Sequence, residues 1–266
     1  MRCLTLILSL IAAPLPAHEF WIEPRDFAPA ADTTIMANIV NGENFEGQRL
    51  PYLPHRFVNF VMIHDGSFAR VPGRAGDQPG LRMEPLGEGL HVAAYQATNQ
   101  TVTYEDWAKF QRFVDHKDLG DIRTLHDARD LPEGGFKEVY SRYSKSLIGV
   151  GSGEGTDTRT GLETEIVALT NPYTDDLSQG MRFQLFYQGE PRRDEQLEIF
   201  ERAPDGAVTQ LFFRTDEEGI ATVPVKAGHD YMADAVVIRE PSAALIEETG
   251  AAWETLWANM TWSVPE

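Results

Sequence analysis

The sequence predicts a mainly β protein with two β-sandwich regions, of immunoglobulin or transthyretin-like kind, joined by a short helical insert. Short apolar segments of strand composition alternate with strong turn signals in both halves of the chain, which is typical of antiparallel sandwiches. Between the halves, the apolar period becomes that of a helix. We therefore expect a signal peptide at 1–17, an N-terminal β-sandwich region at 18–102, a helical insert at 103–148 and a C-terminal sandwich at 149–266.

The first 17 residues have the order of an export signal. Arg2 supplies the basic start, a short apolar run follows, and Leu15-Pro16-Ala17 is a cleavage site that ends in a small residue. The apolar run is too short to span a bilayer. We expect cleavage after Ala17, a periplasmic location, and no membrane insertion once the signal is removed.

The N-terminal region has strand segments at 33–40, 57–64 and 89–96, and Asn41-Gly42 and Asp65-Gly66 provide turns after the first two. The C-terminal region has seven short strand segments separated by turns that contain Gly, Pro or Asp. These segments are 163–169, 181–187, 196–203, 208–214, 220–225, 231–238 and 255–264.

The insert between the two regions has two segments that we expect to be helical. Segment 104–115 places Trp107, Phe110 and Phe113 on one stripe with charges between them. Segment 136–148 is also expected to be helical, and the glycine-rich residues after it are expected to form a linker.

Composition restricts the kinds of site that the chain can form. The only cysteine is Cys3, inside the signal, so a mature metal site must use histidine, carboxylate, amide or the terminal amine. The net charge of −18 repels nucleic acid, and we expect no nucleic-acid partner.

Cleavage after Ala17 would make His18 the first residue of the mature protein. Its α-amine and imidazole could then chelate one metal ion, and a second histidine would complete a three-nitrogen site suited to Cu(II) or Ni(II). The other amino-terminal copper and nickel site needs histidine at mature position three, where this chain has Phe20. His18 is therefore the first candidate metal ligand.

The second ligand must come through the fold, because no two histidines have the spacing of a local metal motif. The remaining histidines are His55, His64, His91, His116, His126 and His229. We select His116, in the helical insert, with His91 as the next candidate. Glu19 and Glu23 would be outer ligands or, alternatively, the solvated face of an edge strand.

Five motifs in this order carry a resemblance along nearly the whole mature chain. They are Ala17-His18 followed by Glu-Phe-Trp-Ile-Glu-Pro; Tyr140 to Lys145; Asn171-Pro172-Tyr173 with Tyr187 to Pro191; Arg214 to Gly219; and Trp253 to Ala258. The chain resembles a bacterial periplasmic family of uncharacterised domains described as nickel/cobalt transport components. This resemblance implies an exported protein with two β-sandwich regions, associated with uptake of a divalent transition metal.

The first functional hypothesis is a periplasmic protein, not an enzyme, that binds nickel, cobalt or copper and passes it to a membrane metal-transport complex. The motifs of serine hydrolases, zinc proteases and dinucleotide enzymes are missing from the sequence. Two alternatives stay open. One is a non-catalytic envelope module that binds protein or sugar, and the other is a copper-dependent oxidative enzyme that uses His18.

Overall fold

The computed structural model describes residues 19–266, which form three β-sheets and a few short helices. The mainly β fold class is therefore confirmed. The strands are β1 (Glu19–Pro24), β2 (Ile35–Glu43), β3 (Glu46–Leu50), β4 (Phe57–His64), β5 (Ser67–Arg70), β6 (Leu81–Met83), β7 (Gly89–Ala97), β8 (Gln100–Tyr104), β9 (Phe136–Val150), β10 (Thr164–Ala168), β11 (Met181–Tyr187), β12 (Glu190–Pro191), β13 (Gln196–Arg202), β14 (Val208–Arg214), β15 (Ile220–Val223), β16 (Asp230–Arg239) and β17 (Ala251–Ser263). The α-helices are α1 (Trp107–His116), α2 (Ile122–Ala128) and α3 (Ala243–Thr249), and a 3-10 turn covers Pro54–Arg56.

A nine-stranded sheet contains strands from both halves of the chain. Its order is β14-β13-β16-β17-β9-β7-β4-β5, and β8 also pairs with β9. Strands β17 and β9 run parallel, whereas the other neighbours in this sheet are antiparallel. The two halves therefore share one sheet, and their junction is the β9–β17 pair.

Successive side chains of a strand point to opposite faces, so both faces of this sheet have apolar side chains to bury. A different small sheet covers each face. On one face, residues such as Leu147 and Trp262 pack against Phe183 of the small sheet formed by β10, β11, β12 and β15. On the other face, residues such as Ile148 pack against Ile22 of the small sheet formed by β1, β2, β3 and β6. The result is two sandwich-like cores on opposite sides of one sheet.

The prediction of a second helix at 136–148 is wrong, because this segment belongs to the fifteen-residue strand β9. Most of β9 is buried on both faces, so its sequence lacks the clear alternation that identifies a half-exposed strand. Arg142 is buried on one face of β9, and Lys145 is buried on the other. In the sequence, these charged residues look like the polar stripe of an amphipathic helix. The predicted boundary between the helical insert and the C-terminal sandwich, at 148/149, falls inside this strand.

Helix α1 forms where the sequence predicts it. The Asp106 side chain accepts a hydrogen bond from the backbone N–H of Lys109 and so caps the first turn. Phe110 and Phe113 pack against Trp257 of the large sheet. Helix α3 was not predicted. No helix within residues 19–266 has the length and apolarity needed to cross a membrane.

Candidate metal centre

Three buried carboxylates meet on the face of the large sheet that β1 and α1 cover. Glu198 on β13 and Asp234 on β16 are direct cross-strand partners, so their side chains point to the same face. Glu19 begins β1 and reaches the same place. One oxygen from each lies within 4.8 Å of the others, and all three residues are buried. This buried acidic triad could hold a metal ion.

Lys117 ends helix α1 and brings an ammonium group into the triad. Its Nζ lies 2.5 Å from Glu198 Oε2, 2.9 Å from Asp234 Oδ2 and 3.2 Å from Glu19 Oε1. Burial by itself lowers the pKa of Lys117, but the three carboxylates outweigh burial and hold that pKa above its ordinary value. The ammonium therefore stays charged and occupies the position that a cation would take among these oxygens.

One ammonium group cannot balance the charge of three buried carboxylates. The pKa values of the three carboxyl groups reflect this lack of positive charge. Burial, together with the charges of Asp234 and Glu198, raises the pKa of Glu19 to about 7, although Lys117 opposes the rise. Burial also raises the pKa of Asp234. The pKa of Glu198 falls in spite of its burial, because His116 and Lys117 both stabilise its charged form. Glu19 is thus the member that takes up a proton near neutral pH.

His116 lies at the solvent side of the same cluster. Its Nε2 is 2.8 Å from Glu198 Oε1, and 44% of its side chain is exposed. The hydrogen bond to Glu198 raises the pKa of His116 above its ordinary value, although partial burial opposes this. Within residues 19–266, its Nδ1 has no hydrogen-bond partner. A carboxylate that fixes one ring nitrogen and leaves the other free is the usual support for a metal-binding histidine.

The other predicted site residues lie elsewhere. His91 is buried on β7, which is separated from β16 by β9 and β17 in the sheet order. Its Nε2 accepts a hydrogen bond from the Leu86 N–H and its Nδ1 contacts the Gly89 carbonyl at 3.0 Å, so both ring nitrogens are occupied. Burial lowers its pKa. In this arrangement His91 has no nitrogen left for a metal ion.

The first candidate ligand, His18, lies outside the described residues. Of the two glutamates after it, only Glu19 joins the cluster, and it is buried rather than on a solvated face. Glu23 instead accepts a hydrogen bond from Arg202 Nη1 at 3.0 Å. The two glutamates of β1 therefore do not meet in one site.

Sequence reasoning missed Lys117, Glu198 and Asp234. No spacing rule connects these residues, and the contacts of Lys117 with Glu198 and Asp234 span 81 and 117 residues of chain. The available signal was an acidic residue between two apolar neighbours on each of two strands: Glu198 between Leu197 and Ile199, and Asp234 between Ala233 and Ala235. A buried charge on a strand requires a partner, which makes such residues candidates for a site.

The raised pKa of Glu19 predicts a specific pH dependence of stability. Its folded pKa of about 7 exceeds its ordinary value of 4.5, so its contribution to stability is complete below the unfolded pKa and is lost as pH rises through 7. From pH 5 to pH 8, the wild type should lose on the order of 2 kcal/mol more unfolding free energy than Glu19→Gln. Urea denaturation across this range measures the difference. Parallel curves for the two proteins would contradict the prediction.

The triad and its surroundings favour different kinds of cation. Carboxylate oxygens suit hard ions, whereas Ni(II) and Cu(II) prefer nitrogen donors. A metal ion among the three carboxylates would also have to displace Lys117. The donor set that suits nickel, cobalt or copper is therefore at the edge of the cluster, where His116 leaves one ring nitrogen free.

Among solved structures, the chain is similar to the crystal structure of a tetra-tandem repeat in the extending region of a large adhesion protein. The sequence identity is 10% and the TM-score is 0.20, and the match covers 93% of this chain and 50% of that chain. The chain thus spans about half the length of that structure. No curated protein is similar enough to count as a match.

The family model of DUF4198, a domain of unknown function, matches residues 15–239. The match begins within the predicted signal and includes β1, α1, β13 and β16, so all the residues of the Lys117 cluster fall inside it. The predicted resemblance to a family of uncharacterised domains is confirmed at this level. By this match over most of its length, the chain belongs to the DUF4198 family.

Proposed function

We propose that this protein binds a divalent transition-metal ion, nickel, cobalt or copper, in the periplasm and passes it to a membrane transport complex. One observation carries the proposal. Lys117 Nζ and Glu19 Oε1 are 3.2 Å apart. Lys117 follows His116 in the sequence, and Glu19 follows His18. This contact between their sequence neighbours supports the choice of His18 and His116 as first and second ligand.

The proposed donors are the α-amine and imidazole of His18 and the Nδ1 atom of His116. Three nitrogen donors match the preference of Cu(II) and Ni(II). Glu198 would hold His116 from behind through the 2.8 Å contact to Nε2, as outer carboxylates do in established metal sites. We assign no catalytic step to this site, because binding and release suffice for a carrier.

The acidic cluster contributes charge rather than ligands in this proposal. Three carboxylates lie beside one lysine, and His116 faces this cluster. A local excess of negative charge attracts a cation and lowers the cost of binding it at a partly exposed position. Protons compete with the metal for His116, and the raised pKa of His116 strengthens this competition, so the metal affinity should increase as the pH rises through that pKa.

The decisive experiment is calorimetric titration of the processed protein, whose first residue is verified as His18 by intact mass. Cu(II), Ni(II), Co(II) and Zn(II) are titrated separately, and one tight site per chain is expected for at least one metal. His116→Ala should weaken this binding by roughly a hundredfold or more, because it removes a ligand and not a residue that only supports a ligand. His55→Ala is the matched control, since His55 is exposed on the 3-10 turn and away from the cluster.

Two results would contradict the proposal. One is the lack of any binding tighter than millimolar for all four metals. The other is equal affinity of wild type, His116→Ala and His55→Ala. An unchanged melting temperature with every metal would favour the non-catalytic module that binds protein or sugar, because a ligand of the native state must stabilise it.

A further inference from the structure

A cavity of about 220 Å³ lies beside the start of β1. Its walls are mostly apolar and come from both the β1–β2–β3 sheet and the large sheet, with Phe20, Ile39 and Tyr95 among them. Two arginines also line it. Arg142 is 7% exposed, whereas Arg56 is an exposed residue.

Arg142 is a buried cation that has no anionic partner among residues 19–266. Its guanidinium lies over the rings of Tyr140 and Trp257, at 4.8 Å and 4.6 Å from their centroids. Stacking uses the faces of the guanidinium and leaves its N–H edges to be satisfied. No atom of residues 19–266 accepts a hydrogen bond from this guanidinium, and Nη1 is completely buried without a partner.

The other buried cations of the described chain have carboxylate partners. Lys117 contacts three carboxylates, Lys145 contacts Asp157 at 2.8 Å, and Arg192 contacts Glu195 at 2.8 Å. Burial lowers the pKa of Arg142, and the charges of Tyr140, Asp234, Glu19 and Glu138 oppose this. None of these groups forms an ion pair with it. An unpaired buried charge is costly, so a partner for Arg142 is expected.

The acidic residues of the described chain do not supply that partner. Residues 1–18 contain no aspartate and no glutamate. Among residues 19–266, Asp234, Glu19 and Glu138 interact with Arg142 through their charges, but Nη1 of Arg142 and Oε2 of Glu138 are both buried without a hydrogen-bond partner. An anion from outside these residues would supply the missing partner.

We propose that this cavity binds a small organic monocarboxylate, with the carboxylate on Arg142 and an apolar body against Phe20, Ile39 and Tyr95. The planar fork of a guanidinium matches a carboxylate in two parallel hydrogen bonds. A single buried cation matches a single negative charge. The apolar walls favour a ring or a short alkyl group over a sugar or a polyanion. In a protein of net charge −18, such a site gives an organic anion a specific place to bind.

This site is independent of the proposed metal function, because none of its contacts requires His18 or His116. The test uses processed protein in excess EDTA, with phenylacetate as the probe and phenylacetamide as its neutral counterpart. Titration calorimetry should show phenylacetate binding in the wild type and at least roughly tenfold weaker binding of the amide. His18→Ala should bind phenylacetate as the wild type does.

Two variants locate the site. Arg142→Gln should weaken phenylacetate binding roughly tenfold or more, whereas Arg182→Gln, which removes the same charge from an exposed position, should not change it. Ala97→Leu adds volume at a residue that lines the cavity and should abolish binding with Arg142 intact. If Arg142→Gln does not fold, the proposal is tested by Ala97→Leu and by the comparison of phenylacetate with phenylacetamide.

Three outcomes would overturn the proposal. The first is no phenylacetate binding to the wild type at millimolar concentration. The second is equal affinity for phenylacetate and phenylacetamide, which would show that Arg142 is satisfied by water. The third is unchanged phenylacetate binding in Ala97→Leu, which would place the probe elsewhere on the protein.

Discussion

Lys117→Met should lower the free energy of unfolding by about 3–5 kcal/mol, the usual cost of removing one partner from a buried ionic group. The methionine preserves the length and most of the volume of the side chain but removes the ammonium. Three carboxylates would then face one another in a buried place without their shared donor. Chemical denaturation at pH 7 measures the change. A loss below about 1 kcal/mol would show that the network contributes little to stability.

Lys226→Met is the matched control for this variant. Lys226 pairs with Glu201 at 2.6 Å, but 65% of its side chain is exposed, so the same substitution there should cost at most about 1 kcal/mol. The double variant Lys117→Met/Glu198→Gln adds a second check. Because it removes one of the uncompensated carboxylates, it should be more stable than Lys117→Met alone. Purely additive destabilisation would contradict the ionic explanation.

One extra alanine before His18 should weaken the proposed metal binding by roughly a hundredfold or more. The reason is that the α-amine of His18 is itself a proposed ligand, not a group that only supports a ligand. The insertion keeps the imidazole and the net charge but moves the α-amine to another residue. The amine and imidazole of one residue then no longer form a chelate. Calorimetry with the metal that binds the wild type most tightly measures the change, after intact mass confirms each N-terminus.

The inserted protein also requires a folding control, because Glu19 next to the insertion is part of the Lys117 cluster. Its melting temperature without metal should equal that of the wild type. If the fold is unchanged and the metal affinity is also unchanged, the terminal amine is not a ligand. The proposal of a His18 chelate would then be wrong, even if His116 still contributes.

The sequence predicted most strands because apolar alternation and turn residues are local signals. It predicted α1 because its apolar residues have a helical period. It failed on β9, whose faces are both buried by different sheets, so no alternation remains in its sequence. Arg142 and Lys145 look like surface residues in the sequence, but in the structure they are buried on opposite faces of the same strand.

The sequence by itself determined the mainly β class, helix α1 and the choice of His18 and His116 as candidate ligands. Only the tertiary structure decided that Glu19, Glu198 and Asp234 surround Lys117, and that Arg142 lies beside a cavity with no carboxylate partner among residues 19–266. The reason is distance along the chain, since the contacts of Lys117 span 98, 81 and 117 residues. Strand pairing and helix packing bring such residues together, and no local pattern records which buried charge will meet which partner.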